Sequence, residues 1–270
     1  MNGYIALSYW DVALAGLLVA LNAGLSLWLQ LGLARQILIA ALRMVVQLLL
    51  VGLVLKAVFA AASPLLTLGL ATLMVAFAGR EIHARQERPV RGIGGIALGT
   101  GAMTLAGGLV ILFGLGALIG ADPWWSPRFA LPLFGMILGN TMTGVSLGLD
   151  TLTTALWRER TAVEAQLLLG ATRWQALRPF ARRATRSGMT PIINAMAATG
   201  IISLPGMMTG QILSGVDPTE AVKYQLVIIF LIAGSTGLGV VLAIGGGMWA
   251  LSDDRHRLRL DRLAGERAAA

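Results

Sequence analysis

The sequence predicts an all-α integral membrane protein with about seven transmembrane helices, its amino terminus outside and its carboxyl terminus in the cytoplasm. Three observations lead there. First, 56% of the residues are hydrophobic and only 13% are charged, about half the charge fraction of a soluble domain. Second, the runs 12–34, 92–121, 129–149 and 224–252 contain no charged residue, and about 20 apolar residues of helix cross the hydrocarbon core. Third, the basic residues fall on alternate loops, so that one face of the membrane holds nearly all of them.

Taken in order, the spans are about 10–33, 37–60, 64–80, 92–120, 129–151, 188–214 and 221–251. The second has its apolar stretch, Met44–Leu55, between Arg43 and Lys56, whose long side chains reach the interfaces while their stems stay in hydrocarbon. The third is short, and Pro64 suits its first turn because the missing N–H is an orphan there anyway. The fourth and fifth are joined by Asp122-Pro-Trp-Trp-Ser-Pro-Arg128, whose two tryptophans suit a membrane–water interface. The sixth is interrupted by Pro205-Gly206. A proline removes a backbone donor and a glycine loosens the helix, so this span should kink or break there, with Pro205 and Gly206 as a hinge.

This count puts all of the 21 basic residues except Lys56, Arg128 and Lys223 on one side. Excess Lys and Arg marks the cytoplasmic face, and an even number of spans would destroy the separation. The chain reads as a single transmembrane domain, 1–252, followed by a basic cytoplasmic tail, 253–270. Its first residues have no basic region and no small-residue cleavage site, unlike a removable signal peptide. The net charge of +8 follows from topology and anionic lipid, so no nucleic acid partner is expected.

The largest cytoplasmic segment, 157–187, carries seven arginines and is helix-forming. It contains Glu164-Ala165, then Gly170-Ala171-Thr172-Arg173. The chain itself has no P-loop, since its only lysines, Lys56 and Lys223, do not follow glycine. It has no cysteine, hence no disulfide or thiolate ligand. His83 and His256 sit in cytoplasmic segments and read as solvated. No catalytic residue and no cofactor bound by this chain is expected.

Glu164, Ala165 and Gly170 resemble the first half of the EAA---G loop of ABC importer permeases. The later part of that pattern is absent, because Phe180-Ala-Arg-Arg183 stands in its place. The spacing alone fits equally an amphipathic helix lying on anionic lipid. The sixth span carries a longer match: Leu-Pro-Gly-Met-Met-Thr-Gly at 204–210. With Arg-Met-Val-Val-Gln-Leu-Leu-Leu-Val-Gly at 43–52, Gly-Met-Ile-Leu-Gly-Asn-Thr-Met at 135–142 and Leu-Leu-Leu-Gly-Ala-Thr at 167–172, the chain resembles the FetB family of iron-export ABC permeases. That family is related to the membrane half of plant aluminium-tolerance ABC transporters. The resemblance implies a homodimeric permease that pairs with a separate cytoplasmic ABC ATPase, where ATP and Mg bind. It also implies a coupling helix at Glu164, Ala165, Gly170, Ala171, Thr172 and Arg173.

Polar residues at membrane depth are costly facing lipid, so Gln47, Asn140, Thr141, Gln211 and Gln225 should face protein or a cavity. With Met207 and Met208 beside the hinge, the first four form the candidate substrate pathway. Thioethers prefer soft ions, whereas Fe(II) favours imidazole and carboxylate, so no tight metal site is expected and the methionines read first as packing. Asp150, near the end of its span, reads as an interface residue or a partner for a nearby arginine. Gly95/Gly99, Gly144/Gly148 and Gly206/Gly210 repeat the small-residue spacing that lets helices approach. A secondary transporter and a non-transporting scaffold stay open at this point.

Overall fold

The computed structural model describes residues 8–120 and 122–265. The first seven residues, on which the reading against a signal peptide largely rests, lie outside the described residues, as does Arg267 of the tail. Among the described residues the architecture is helical, with isolated bridges but no named strand.

The first five long helices are α1 (Tyr9–Trp28), α2 (Ala34–Ala61), α3 (Pro64–Ala84), α4 (Gly92–Phe113) and α5 (Pro127–Arg158). A π-helical stretch, Gly114–Ile119, extends α4. Next come α6 (Arg160–Leu168), α7 (Arg173–Ala198), α8 (Gly206–Leu213) and α9 (Pro218–Ala250). By length and composition α1 to α5 and α9 are each able to cross a membrane, α4 with its extension. The local signals explain their ends. Ser8 and Asp11 form a capping box at the start of α1, and Asp217 accepts from the Thr219 N–H at the start of α9. Helices α3, α5 and α9 each have proline in the first turn.

The sixth expected span is the element that differs. Helix α7 runs unbroken from Arg173 to Ala198, so the second half of the basic segment and the start of the expected sixth span belong to one helix. The interruption covers residues 199–205 and ends at the expected break, with Pro205 as the N-cap of α8. Proline disfavours the helical region for the residue before it, and Leu204 lies outside both helices, whereas Pro179 and Pro191 are accommodated inside α7. Gly200, at φ +93°, then turns the chain, and its N–H donates to Ser203 O.

Helices α5, α7 and α9 form the centre, with α3 and α4 against them. Half of the most apolar stretch of α9 is buried, against none of that of α2, so α1 and α2 make a peripheral hairpin. Gly144 and Gly188 bring α5 and α7 together: a Cβ on Gly188 would lie 2.6 Å from Gly144 O. The Gly144/Gly148 spacing is thus a helix contact, and Gly99 likewise abuts Ile82 of α3. Nothing lies within 4 Å of a Cβ built on Gly206 or Gly210.

Thr141 of α5 and Ser235 of α9, both fully buried, share a 2.8 Å hydrogen bond. Such interhelical bonds contribute about 0.6–2 kcal/mol in membranes. Thr141→Val should lower stability by about that amount, and adding Ser235→Ala should cost much less than the sum of the single changes. A double-mutant cycle from unfolding in detergent measures the difference; full additivity would mean the pair is not coupled.

Candidate functional site

The cytoplasmic corner between α5 and α7 is built from local rules. Helix α6 closes with a Schellman motif: Ala171 N–H donates to Gln166 O at 3.0 Å, and Gly170 N–H to Leu167 O at 3.1 Å. Gly170 sits at φ +90°, where a side chain is strained. Two residues later Thr172 caps α7, its hydroxyl accepting from Gln175 N–H while the Gln175 amide oxygen accepts from Thr172 N–H. Gly170-Ala171-Thr172 is therefore a corner that stops one helix and starts the next. Gly170→Val should destabilise this corner locally by about 1–2 kcal/mol, read as faster amide exchange across 163–172 with the rest of the bundle unchanged.

One side of α6 is held and the other is free. Val163 is fully buried, in one apolar cluster with Leu152 and Leu156 of α5 and Ala176 and Leu177 of α7. That cluster continues into the membrane through Leu149, Val240 and Met103. Glu164 and Ala165 are exposed, and the tip residues Leu168 and Leu169 are 88% and 89% exposed. Two leucines this bare form an apolar knob without a partner among the described residues.

Ion pairs and the tail brace the corner. Arg183 reaches Glu159 at 2.7 Å, and the guanidinium groups of Arg88 and Arg160 both lie over the Trp157 ring. Arg173 pairs with Asp254 at 3.0 Å, and its N–H donates to His256 Nδ1. Asp150 accepts from the Glu87 N–H at 2.7 Å, tying α5 to the α3–α4 loop as an interface residue. The basic tail packs onto the same loop. Arg91 N–H donates to Arg262 O, and Ala264 N–H to Pro89 O. Arg262 Nη1 donates to Ala250 O at the end of α9, a favourable place for a cation. The Arg257 N–H, with the Arg257 side chain, holds the Asp253 carboxyl below the usual range despite opposing desolvation. The Arg259 side chain lowers Asp261 to about 2. Composition alone does not reveal this docking; the alternation Leu258, Leu260, Leu263 was its only signal.

The pathway candidates separate. Thr141 is enclosed by its bond to Ser235. Gln47 is exposed on α2, and Asn140 is exposed on α5, its amide donating to Met136 O. On α8, Met207 is 37% exposed and Met208 half-buried. The side-chain oxygens of Gln211 and of Gln225 on α9 are buried without a hydrogen-bond partner. The residues the sequence reading did not single out are Thr143, Thr190 and Asn194, exposed on α5 and α7 within two turns of the Gly144–Gly188 contact. Like Asn140, Thr143 and Thr190 each donate to a backbone carbonyl one turn earlier on their own helix. Among the described residues no three of His, Cys, Asp and Glu come together.

Residues 9–250 match the Uncharacterised protein family UPF0014. The chain belongs to the UPF0014 family. This UPF0014 protein is 37% identical to a UPF0014 membrane protein of Synechocystis sp., covering 83% of this chain and 84% of that one. It is 32% identical to FetB of Escherichia coli, named a probable iron export permease protein, over 94% and 95% of the two chains. It is 30% identical to the UPF0014 membrane protein STAR2 of Oryza sativa subsp. japonica, over 87% and 83%. No solved structure matches the chain. With its apolar helices and these relatives, the UPF0014 protein is a multi-pass membrane protein.

Proposed function

We propose that this chain is the membrane subunit of an ABC transporter. It works as two copies with a separate cytoplasmic ATPase, which binds ATP and Mg, and it exports a metal ion such as iron or a related small substrate. The observation that carries the reading is the α6 tip. Leu168 and Leu169 stand bare at the end of a short helix whose opposite side is anchored by the buried Val163. An apolar knob on a rigid base suits a cleft on a partner protein, since exposed apolar surface of this kind marks interaction sites. The printed name of the Escherichia coli relative supports the substrate and direction.

The mechanism follows from the connections. Closure of the ATPase on ATP pushes α6, and the cluster around Val163 passes the push to α5 and α7. Those helices are locked at Gly144 and Gly188, so they tilt together rather than slide. Asn140, Thr143, Thr190 and Asn194 are exposed polar residues on α5 and α7. A second copy covers these residues, and the two surfaces enclose a polar path that opens alternately to each side.

The test is reconstitution with the P-loop ATPase encoded by a neighbouring reading frame. Vesicles holding both proteins should move Fe(II) only with ATP, and the ATPase should co-purify with the membrane subunit. Failure of any such ATPase to bind or be stimulated would sink the reading.

A further inference from the structure

Helix α7 carries, between its cytoplasmic start and the membrane, three arginines at one-turn spacing: Arg178, Arg182 and Arg186. All three are exposed, and unlike Arg173 and Arg183 none has an ion pair or hydrogen bond to another described residue. Like charges four apart on a helix repel, so the arrangement is unfavourable unless an anion sits among them. They line one groove of about 740 Å³ together with Trp174, Thr185 and Met248. The lining contains no carboxylate.

The depth of this groove is set by the helix contacts. A Cβ on Gly148 would lie 3.4 Å from Ala184 O, and one on Gly247 would lie 2.9 Å from Leu152 Cδ2. Arg182, Arg186 and Met248 are therefore level with residues 148–152 of α5. That is where Asp150 meets the polar α3–α4 loop, the cytoplasmic boundary of the bilayer. A groove at this height has an apolar floor at Met248, an aromatic wall at Trp174 and three forked donors along one side. Guanidinium groups bind phosphate oxygens in pairs.

We propose that this groove is a binding site for a phosphate monoester or diester anion at the cytoplasmic membrane surface. The source is an anionic phospholipid headgroup or a soluble phosphate. The site differs from the α6 tip and from Asn140, Thr143, Thr190 and Asn194, and it does not depend on what the protein transports.

The experiment uses the full-length protein purified in a neutral detergent. Phosphatidylglycerol, phosphatidylcholine, glycerol 3-phosphate and inorganic phosphate are offered in parallel, and bound ligand is counted by native mass spectrometry. Each arginine facing an anionic headgroup accounts for about fivefold in affinity. R178Q/R182Q/R186Q should therefore lose phosphatidylglycerol by about a hundredfold. A control of equal charge change, R158Q/R160Q/R255Q, should keep it. Preference for phosphatidylglycerol over phosphatidylcholine identifies a headgroup as the source. Arginine-dependent binding of glycerol 3-phosphate or inorganic phosphate without that preference identifies a soluble anion. Should the triple variant not give monodisperse protein, R182Q alone is read for its fivefold loss. Equal binding by groove and control variants, or no arginine-dependent binding of any of the four ligands, overturns the proposal.

Discussion

Replacing Leu168 and Leu169 together by aspartate should abolish ATP-coupled transport, with at least a hundredfold loss of ATPase affinity, while the membrane bundle stays folded. Both side chains are almost fully exposed, so nearly all of their apolar area is available to a partner. Burying a leucine contributes about 1.5–3 kcal/mol, and two in one cleft give roughly 3–6 kcal/mol, enough to dominate an interface of this kind. The same exposure protects the fold, because surface substitutions that break no contact usually change stability by about 0.5 kcal/mol or less. The measurement pairs a binding constant for the ATPase with a melting curve of the isolated subunit. Val163→Asp should fail in the opposite way. It places a charge in the cluster of Leu152, Leu156, Ala176 and Leu177, so the subunit itself is destabilised. Normal coupling by the double aspartate variant would remove α6 from the mechanism.

The second large effect is expected at the crossing of α5 and α7. Gly188→Ala should destabilise the bundle by roughly 2–3 kcal/mol, the upper part of the range for an overpacked core. Its Cβ would stand 2.6 Å from Gly144 O and 2.9 Å from Val240 Cγ1. The first neighbour is backbone, so relief requires moving a whole helix. Gly144→Ala meets Gly188 O and Thr236 Cγ2, each at 2.8 Å, and should cost a similar amount. The two changes relieve each other in part once the helices have separated, so the double variant should cost less than the sum. Gly210→Ala is the comparison: its Cβ meets nothing within 4 Å, and alanine is the better helix former by about 1 kcal/mol. Thermal unfolding in detergent separates these outcomes. Equal melting points for Gly188→Ala and Gly210→Ala would mean that the close crossing contributes nothing.

These two sites also mark where sequence reading reached its limit. The glycine pairs Gly95/Gly99, Gly144/Gly148 and Gly206/Gly210 share the same spacing. The structure uses Gly144/Gly148 and Gly95/Gly99 for close approach and leaves Gly206/Gly210 open. Spacing records that a helix could approach another, but only the partner helix decides whether it does. Gly188 has no glycine four residues away; its small neighbour is Ala184, so the pair was legible only as small-x-x-x-small. In the corner, Leu167, Leu168 and Leu169 are identical in sequence. The turn of α6 leaves Leu167 half-buried and points the other two outward.

Composition and charge pattern settle the solvent and set the expected sidedness. Runs without charge need hydrocarbon, and basic residues on alternate loops need one face of the membrane, whatever the packing. The sequence reading takes 164–173 as one coupling helix; the positive φ at Gly170 and the cap at Thr172 divide it into α6 and α7. Only the tertiary structure decided that α7 runs unbroken from Arg173 to Ala198, that the basic tail is docked, and that Arg178, Arg182 and Arg186 share one unpaired groove. Each of these depends on which surfaces meet across distant parts of the chain. Hydropathy sums residues along one helix, whereas contact is a relation between two.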